Sequence, residues 1–287
     1  MANEESIDYE KALPLQLGAL RSQMRLTIHT FHSLRLWRGR APSGETPGII
    51  GLNGYLSINN KMIRGAALDD PYSDWWMIRV EEKVESVKNR FAEIKEQLEA
   101  VYSNVPPMMS LGENLNLQPV TLQVFASSPL GFLGIYLLAD FDEIVRRLIL
   151  ALHIALIDRG THDRYLTDGG HEMRSLFATA QFYRYSGATR QDFAAGNAVA
   201  LAAQEKFGTV PLDIMEGKRR SRFAPVIRTQ AEEEPAAFEE LPQIDQTDLT
   251  LSHESAGLIT EDAFEEAVER VAQNGALSPI DGMAGEE

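Results

Sequence analysis

A mainly α fold with a small β component is predicted, on three observations. An apolar seam with heptad spacing runs from Met77 to Val101. A second stretch, near 140–158, is apolar around most of a helical circumference. Two short segments, near 24–29 and 115–125, alternate apolar and polar residues. A surface helix buries a stripe of period 3.6 and a half-buried strand buries every second side chain, so the patterns assign helix to the first pair and strand to the second.

The bulk properties bound the rest. The chain has 287 residues and no cysteine, which excludes disulfides, thiolate metal sites and cysteine nucleophiles. Its net charge is -15, from 27 Lys plus Arg against 42 Asp plus Glu. The excess is local: from Thr229 onward there are sixteen acids and one base, Arg270, which leaves 26 of each sign before it. Between Lys11 and Arg64 eight bases face the single acid Glu45, a local +7 that suits a phosphate-bearing partner. The chain thus divides into a flexible N-terminus (1–16), a basic region with the long helix (17–110), a mostly helical domain with short strands (111–228) and an acidic, mostly disordered tail (229–287). Within the tail, 259–273 has the spacing of a short amphipathic helix, with Phe264, Val268 and Val271 on one stripe. A solubilising role is expected for the tail; docking a protein partner, or covering the basic region, is the functional alternative. No apolar run approaches the roughly 20 residues of a membrane span, and the acidic start does not read as a secretory signal, so a cytoplasmic protein without membrane contact is expected.

Within Leu20 to Arg40, Met24, Leu26 and Ile28 point one way if the segment is a strand, and Arg25, Thr27 and His29 share the other face. From Arg25 to His29 such a strand spans roughly 13 Å, close to the roughly 12 Å width of a DNA major groove. The same stretch also fits a helical face through Leu17, Leu20, Met24, Ile28 and Phe31. The glycines and prolines of 40–54 predict turns rather than a phosphate loop, since GxxxxGK[ST] is absent. A helix over 50–68 follows, weakened by Asn59 and Asn60.

The clearest helix starts near Ser73 or Asp74 and runs to about Ser103, before Pro106 and Pro107. Its seam is Met77, Val80, Val84, Val87, Phe91, Ile94, Leu98 and Val101, suited either to a dimer contact or to the chain's own core. Val120, Leu122 and Val124 alternate with Thr121 and Gln123 as in a strand, with Pro119 at its start or on a sheet edge. Ile135–Leu138 reads as a short strand or as the lead into the apolar helix of 140–158, with Asp140, Asp142 and Glu143 capping it. Helices are expected over 162–166, 172–185 and 190–207, the last capped by Thr189, with Gly160, Gly169, Gly170, Gly187 and Gly208 between them. Lys218 to Arg222, KRRSR, is a second basic cluster, by default solvated and otherwise a supplementary phosphate contact.

Catalytic patterns are missing. There is no HExxH, no GxSxG, no Walker lysine and no dinucleotide fingerprint, and the histidine pairs lack further ligands at a familiar spacing. No metal, no cofactor and no enzymatic activity are expected.

Several ordered blocks carry a resemblance: LGALRSQMRLTIHTFHSLRLWRGR, TPGIIGLNGY, DDPYSDWWMIRVEE, SSPLGFLGIYLLADFDEIVRR and GATRQDFAAGN. Over about Leu17 to Val226 the chain resembles the AcaB-like family of transcriptional regulators carried by integrating conjugative elements and conjugative plasmids. The resemblance implies a regulator of conjugative-transfer genes with a ribbon-helix-helix element at its N-terminal end. In that architecture two chains pair short strands as a homodimer and present them to the major groove of double-stranded DNA. Arg25, Thr27 and His29 then become the candidates for base readout, and Arg21, Arg35, Arg38 and Arg40 those for phosphate contacts. The Pro- and Gly-rich loop after Arg40 departs from the compact helix pair of that pattern. A structural or protein-interaction component of the transfer machinery, without base readout, is the alternative.

Overall fold

Strand β1 (Met24–Ile28) passes into helix α1 (Phe31–Arg38) after two residues, in a computed structural model that describes residues 24–41 and 48–228. The strand buries Leu26 and Ile28 and exposes Arg25 and Thr27, so alternation, not the competing helical face, governs 24–28. Helix α1 is not among the predicted elements. Thr30 starts it, accepting the Ser33 N–H on its side chain, and Ser33, Leu36 and Trp37 form its buried face. Arg35 and Arg38 therefore project from a helix.

A two-residue antiparallel pair follows, β2 (Gly39–Arg40) with β3 (Ile49–Ile50). Gly39 has φ +80°, and a Cβ there would lie 2.3 Å from the Gly51 nitrogen. A Cβ on Gly51 would lie 2.2 Å from the Trp37 carbonyl oxygen, so close backbone approach requires both glycines.

Helix α2 (Leu52–Ala67) matches the predicted span, and Asn59 is accommodated by donating its side-chain N–H to the Tyr55 carbonyl. Helix α3 (Pro71–Tyr102) begins a few residues earlier than predicted, because Asp70 is its N-cap and Pro71 occupies its first turn. Its seam residues Met77, Val80, Val84, Val87, Phe91, Ile94 and Leu98 are all buried, while Val101 is partly so. They pack into the chain's own core with α2, α4 (Pro129–His153) and α5 (Arg159–Gln181), each buried side chain contributing roughly 1.5–3 kcal/mol.

Between α3 and α4 lies β4 (Val120–Val124). Helix α4 is continuous from its Ser128 cap, so Ile135–Leu138 is helical and Asp140, Asp142 and Glu143 sit in mid-helix rather than at a start. Helix α5 likewise runs through Gly169 and Gly170, where separate helices were expected. A Cβ on Gly169 would meet the Phe141 ring at 2.9 Å, so this glycine serves helix packing. The expected helix over 190–207 is instead two, α6 (Arg190–Ala195) and α7 (Ala198–Phe207). Gly196 at φ +62° ends the first and the Asn197 side chain caps the second. Thr189 caps α6 as predicted, in a reciprocal box with Asp192. A last short helix, α8, spans Leu212–Met215.

One core runs from Leu26 through Phe91 and Leu138 to Tyr183, joining residues on both sides of position 110. A smaller cluster of Tyr72, Ile78, Ala188, Ala203, Val210 and Ile214 seats the C-terminal helices on the start of α3. Beside it the buried Asp74 carboxylate pairs with Arg190 at 2.6 Å and Arg220 at 2.9 Å. No helix among the described residues is long and apolar enough to cross a membrane. The flexible 1–16, Arg21, the 259–273 helix and the whole acidic tail were expectations that lie outside the described residues.

Candidate nucleic-acid interface

Strands β1 and β4 pair antiparallel with Arg25 opposite Gln123 and Thr27 opposite Thr121. The ladder partner of β1 is thus a strand of the same chain, where the sequence led us to expect a copy of β1 from a second chain. One face of this ribbon is apolar and points inward: Leu26, Ile28 and Val124 are buried and Leu122 is partly so. Arg25, Thr27, Thr121 and Gln123 occupy the other face, all exposed. The two threonine hydroxyls lie 3.4 Å apart, tying the strands on the open side. Arg25 forms no hydrogen bond or ion pair with another described residue.

The third expected member of that face, His29, is placed differently. The strand ends at Ile28, and the half-buried His29 ring accepts the Asn116 backbone N–H on Nδ1 at 3.2 Å. The Asn116 side chain returns a hydrogen bond to the His29 carbonyl at 3.1 Å. His29 therefore holds the segment leading into β4 beside the end of β1.

A buried carboxylate fixes the ribbon on the body. Asp142 of α4 accepts the His29 N–H at 3.1 Å, the Thr30 N–H at 2.9 Å and the Thr30 hydroxyl at 2.7 Å. Its own counter-charge is Arg146, one turn along α4, at 3.5 Å. The neighbouring acids face away from this turn: Asp140 and Glu143 both bind Lys95 of α3, at 2.7 and 3.0 Å. Asp142 is invisible as an anchor in the sequence, where three adjacent acids before an apolar run look like caps.

The basic residues divide into two kinds. Arg35 and Arg38 are exposed on α1 and Arg40 on β2, and the Arg35 guanidinium lies over the Phe31 ring. The KRRSR cluster is solvated at Lys218, Arg219 and Arg222, which are exposed, but its arginines are ion-paired. Arg219 binds Glu82, Arg220 the buried Asp74, Arg222 Glu81, and Ser221 donates to Glu81, so the segment is an ionic strap along α3. Among the described residues no cluster of three His, Asp or Glu side chains suits a metal ion.

A mostly helical body carrying a two-stranded ribbon with a polar, cationic open face defines the class of scaffold. A family model described as the transcriptional regulator AcaB matches residues 16–228, and the chain belongs to that family of transcriptional regulators. Among solved structures it is similar to a selenomethionine-containing AcaB from uropathogenic E. coli, at 11% identity and a TM-score of 0.45, over 69% of this chain and 98% of that one. No curated protein matches it.

Proposed function

We propose that this transcriptional regulator binds double-stranded DNA sequence-specifically by inserting the β1–β4 ribbon into the major groove. The observation that carries the reading is the register that sets Arg25 against Gln123 and Thr27 against Thr121 on the open face. A two-stranded ribbon fits that groove, and the side-chain chemistry is suited to base edges: Arg forks onto guanine, Gln onto adenine, and Thr reaches a base edge or a thymine methyl. Each good contact discriminates by about 1–3 kcal/mol. Arg35, Arg38 and Arg40, with Arg21, contact phosphates and set register without selecting sequence. His29 supports the ribbon from behind rather than reading bases.

The target is the control DNA of conjugative-transfer genes on a mobile element, the role the ribbon-helix-helix resemblance implies. The succession β1, α1, α2 follows that order, with the β2–β3 pair and its loop inserted between the two helices. The protein acts as a homodimer, each chain bringing its own ribbon to one half of a nearly palindromic site. For the acidic residues after Thr229 the expected outcome is read by truncation: a chain ending at Arg228 binds random DNA more tightly at low salt if they lower non-specific affinity, and equal affinity removes that role.

The test is a gel-shift titration on DNA from the protein's own element. Replacing Arg25, Thr27 and Gln123 by Ala abolishes preference for the specific site while weak, salt-sensitive binding persists. A wild-type protein with no site preference at any salt concentration overturns the reading and leaves an interaction component of the transfer machinery.

A further inference from the structure

A cleft of about 400 Å³ opens between the end of α3, the segment 111–114 and the middle of α4, and it shares no residue with the open face of the ribbon. That volume lies within the roughly 300–1,000 Å³ of small-ligand sites. Tyr102, Leu111 and Leu150 supply its apolar walls. Two hydrogen bonds hold it in shape. The Tyr102 hydroxyl donates to the Arg147 carbonyl at 2.7 Å and the Asn114 side chain to the Arg146 carbonyl at 3.1 Å, so both sides are fastened to adjacent residues of α4.

Two arginines line the cleft, and they differ in what they have left to offer. Arg147 is engaged, with Glu99 at 2.9 Å and with the Tyr102 ring, 5.0 Å from its guanidinium. Arg146 is only 20% exposed, and its guanidinium forms no hydrogen bond with another described residue. Its buried Nε stands 3.5 Å from Asp142, a carboxylate already taken up by the His29 and Thr30 donors. The two terminal amino groups remain, four N–H donors in a plane beside apolar side chains. A carboxylate meets such a fork with two parallel hydrogen bonds.

The acids of the cleft narrow the class of ligand. Glu99 is neutralised by Arg147 and Glu143 by Lys95 at 3.0 Å, whereas Glu113 is exposed and pairs with no described residue. One unspent cation beside one unspent acid suits a single negative charge and repels a dianion such as a phosphate monoester.

We propose that this cleft binds a small organic monocarboxylate, with its carboxylate on Arg146 and its apolar body against Tyr102, Leu111 and Leu150. The site stands independently of the reading that the chain binds DNA.

The experiment is a calorimetric titration of the full chain with naphthoate, with the neutral naphthamide and with the dianionic naphthyl phosphate. Naphthoate is expected to bind, and the other two to bind about ten-fold or more weakly, the worth of a charge-assisted pair. Arg146→Gln is expected to bring naphthoate down to the level of the amide. Because Arg146 also faces Asp142, circular dichroism at the titration temperature accompanies that variant. Glu113→Gln breaks no contact of the fold and is expected to raise the affinity for naphthyl phosphate. Naphthoate and naphthamide bound equally, or no binding of naphthoate, overturns the proposal. A folded Arg146→Gln protein that binds naphthoate as the wild type does overturns it equally. Should Arg146→Gln unfold, the Glu113→Gln arm decides, and an unchanged preference for naphthoate over naphthyl phosphate overturns the assignment.

Discussion

Thr30 and Asp142, 112 positions apart, are joined by two hydrogen bonds, from the Thr30 backbone N–H and from its hydroxyl, to one carboxylate oxygen. The carboxylate is buried, and its second oxygen takes the His29 N–H. One side chain thereby sets the angle at which β1 leaves the body.

Asp142→Ala strips three donors of their acceptor and leaves Arg146 without its counter-charge. Removing one partner of a buried, hydrogen-bonded pair costs about 3–5 kcal/mol. A lower urea midpoint at unchanged m-value measures the loss. DNA site preference should fall with it, because the ribbon loses its mount.

Gly39→Ala places a Cβ within 2.3 Å of backbone at φ +80°. The backbone conformation, φ +80° with ψ -165°, costs a non-glycine residue about 1–3 kcal/mol by itself, and here the clash is with main chain that has no rotamer to escape into. A fall in melting temperature of at least about 4 °C is expected, at roughly 2–4 °C per kcal/mol for a body of this size.

Arg190→Ala and Arg220→Ala each leave Asp74 buried with one cation instead of two. Each variant is destabilised, and the double variant by more than the two effects added, since only then does Asp74 lose all compensation. A double-mutant cycle by chemical denaturation reads this coupling directly.

His32 gives a pH signature. Desolvation, followed by the charges of Arg35 and His162, lowers its pKa below 6.5. The folded state therefore binds this proton less readily than the unfolded chain, and stability falls as pH drops from 6.5 towards the folded value. His32→Gln removes that loss. The melting temperatures of wild type and variant should converge above pH 7 and separate in favour of the variant below pH 6.

The legible parts of the fold are those whose period is strict. The 3,4 spacing of Met77 to Leu98 predicts α3, and the alternation at 24–28 and 120–124 predicts both strands. Helix α4 is apolar all round, so its sequence shows no stripe to mark a period or a beginning. Helix α1 is short and overlaps a stretch that also alternates, and its Thr30 cap looks like one more polar strand residue. Gly169 reads as punctuation because the ring it makes room for, Phe141, lies on another helix. The site divides in the same way. Arg25 and Thr27 are visible as one face, while Gln123, Thr121 and Asp142 join that region only through long-range packing. Arg219, Arg220 and Arg222 look unpaired because Glu82, Asp74 and Glu81, which pair with them, belong to α3, more than a hundred residues earlier.

The β1–β4 pairing also sets a schedule. Thr27 waits for Thr121, 94 positions later, before its face of the ribbon exists. At 5–20 residues per second of synthesis, the interval is roughly 5 to 20 s. Throughout it Arg25 and Thr27 lack the partner strand that fixes their common face. The ribbon is complete only after β4 has left the ribosome, so a message cut short before Val120 yields a chain that lacks this face altogether.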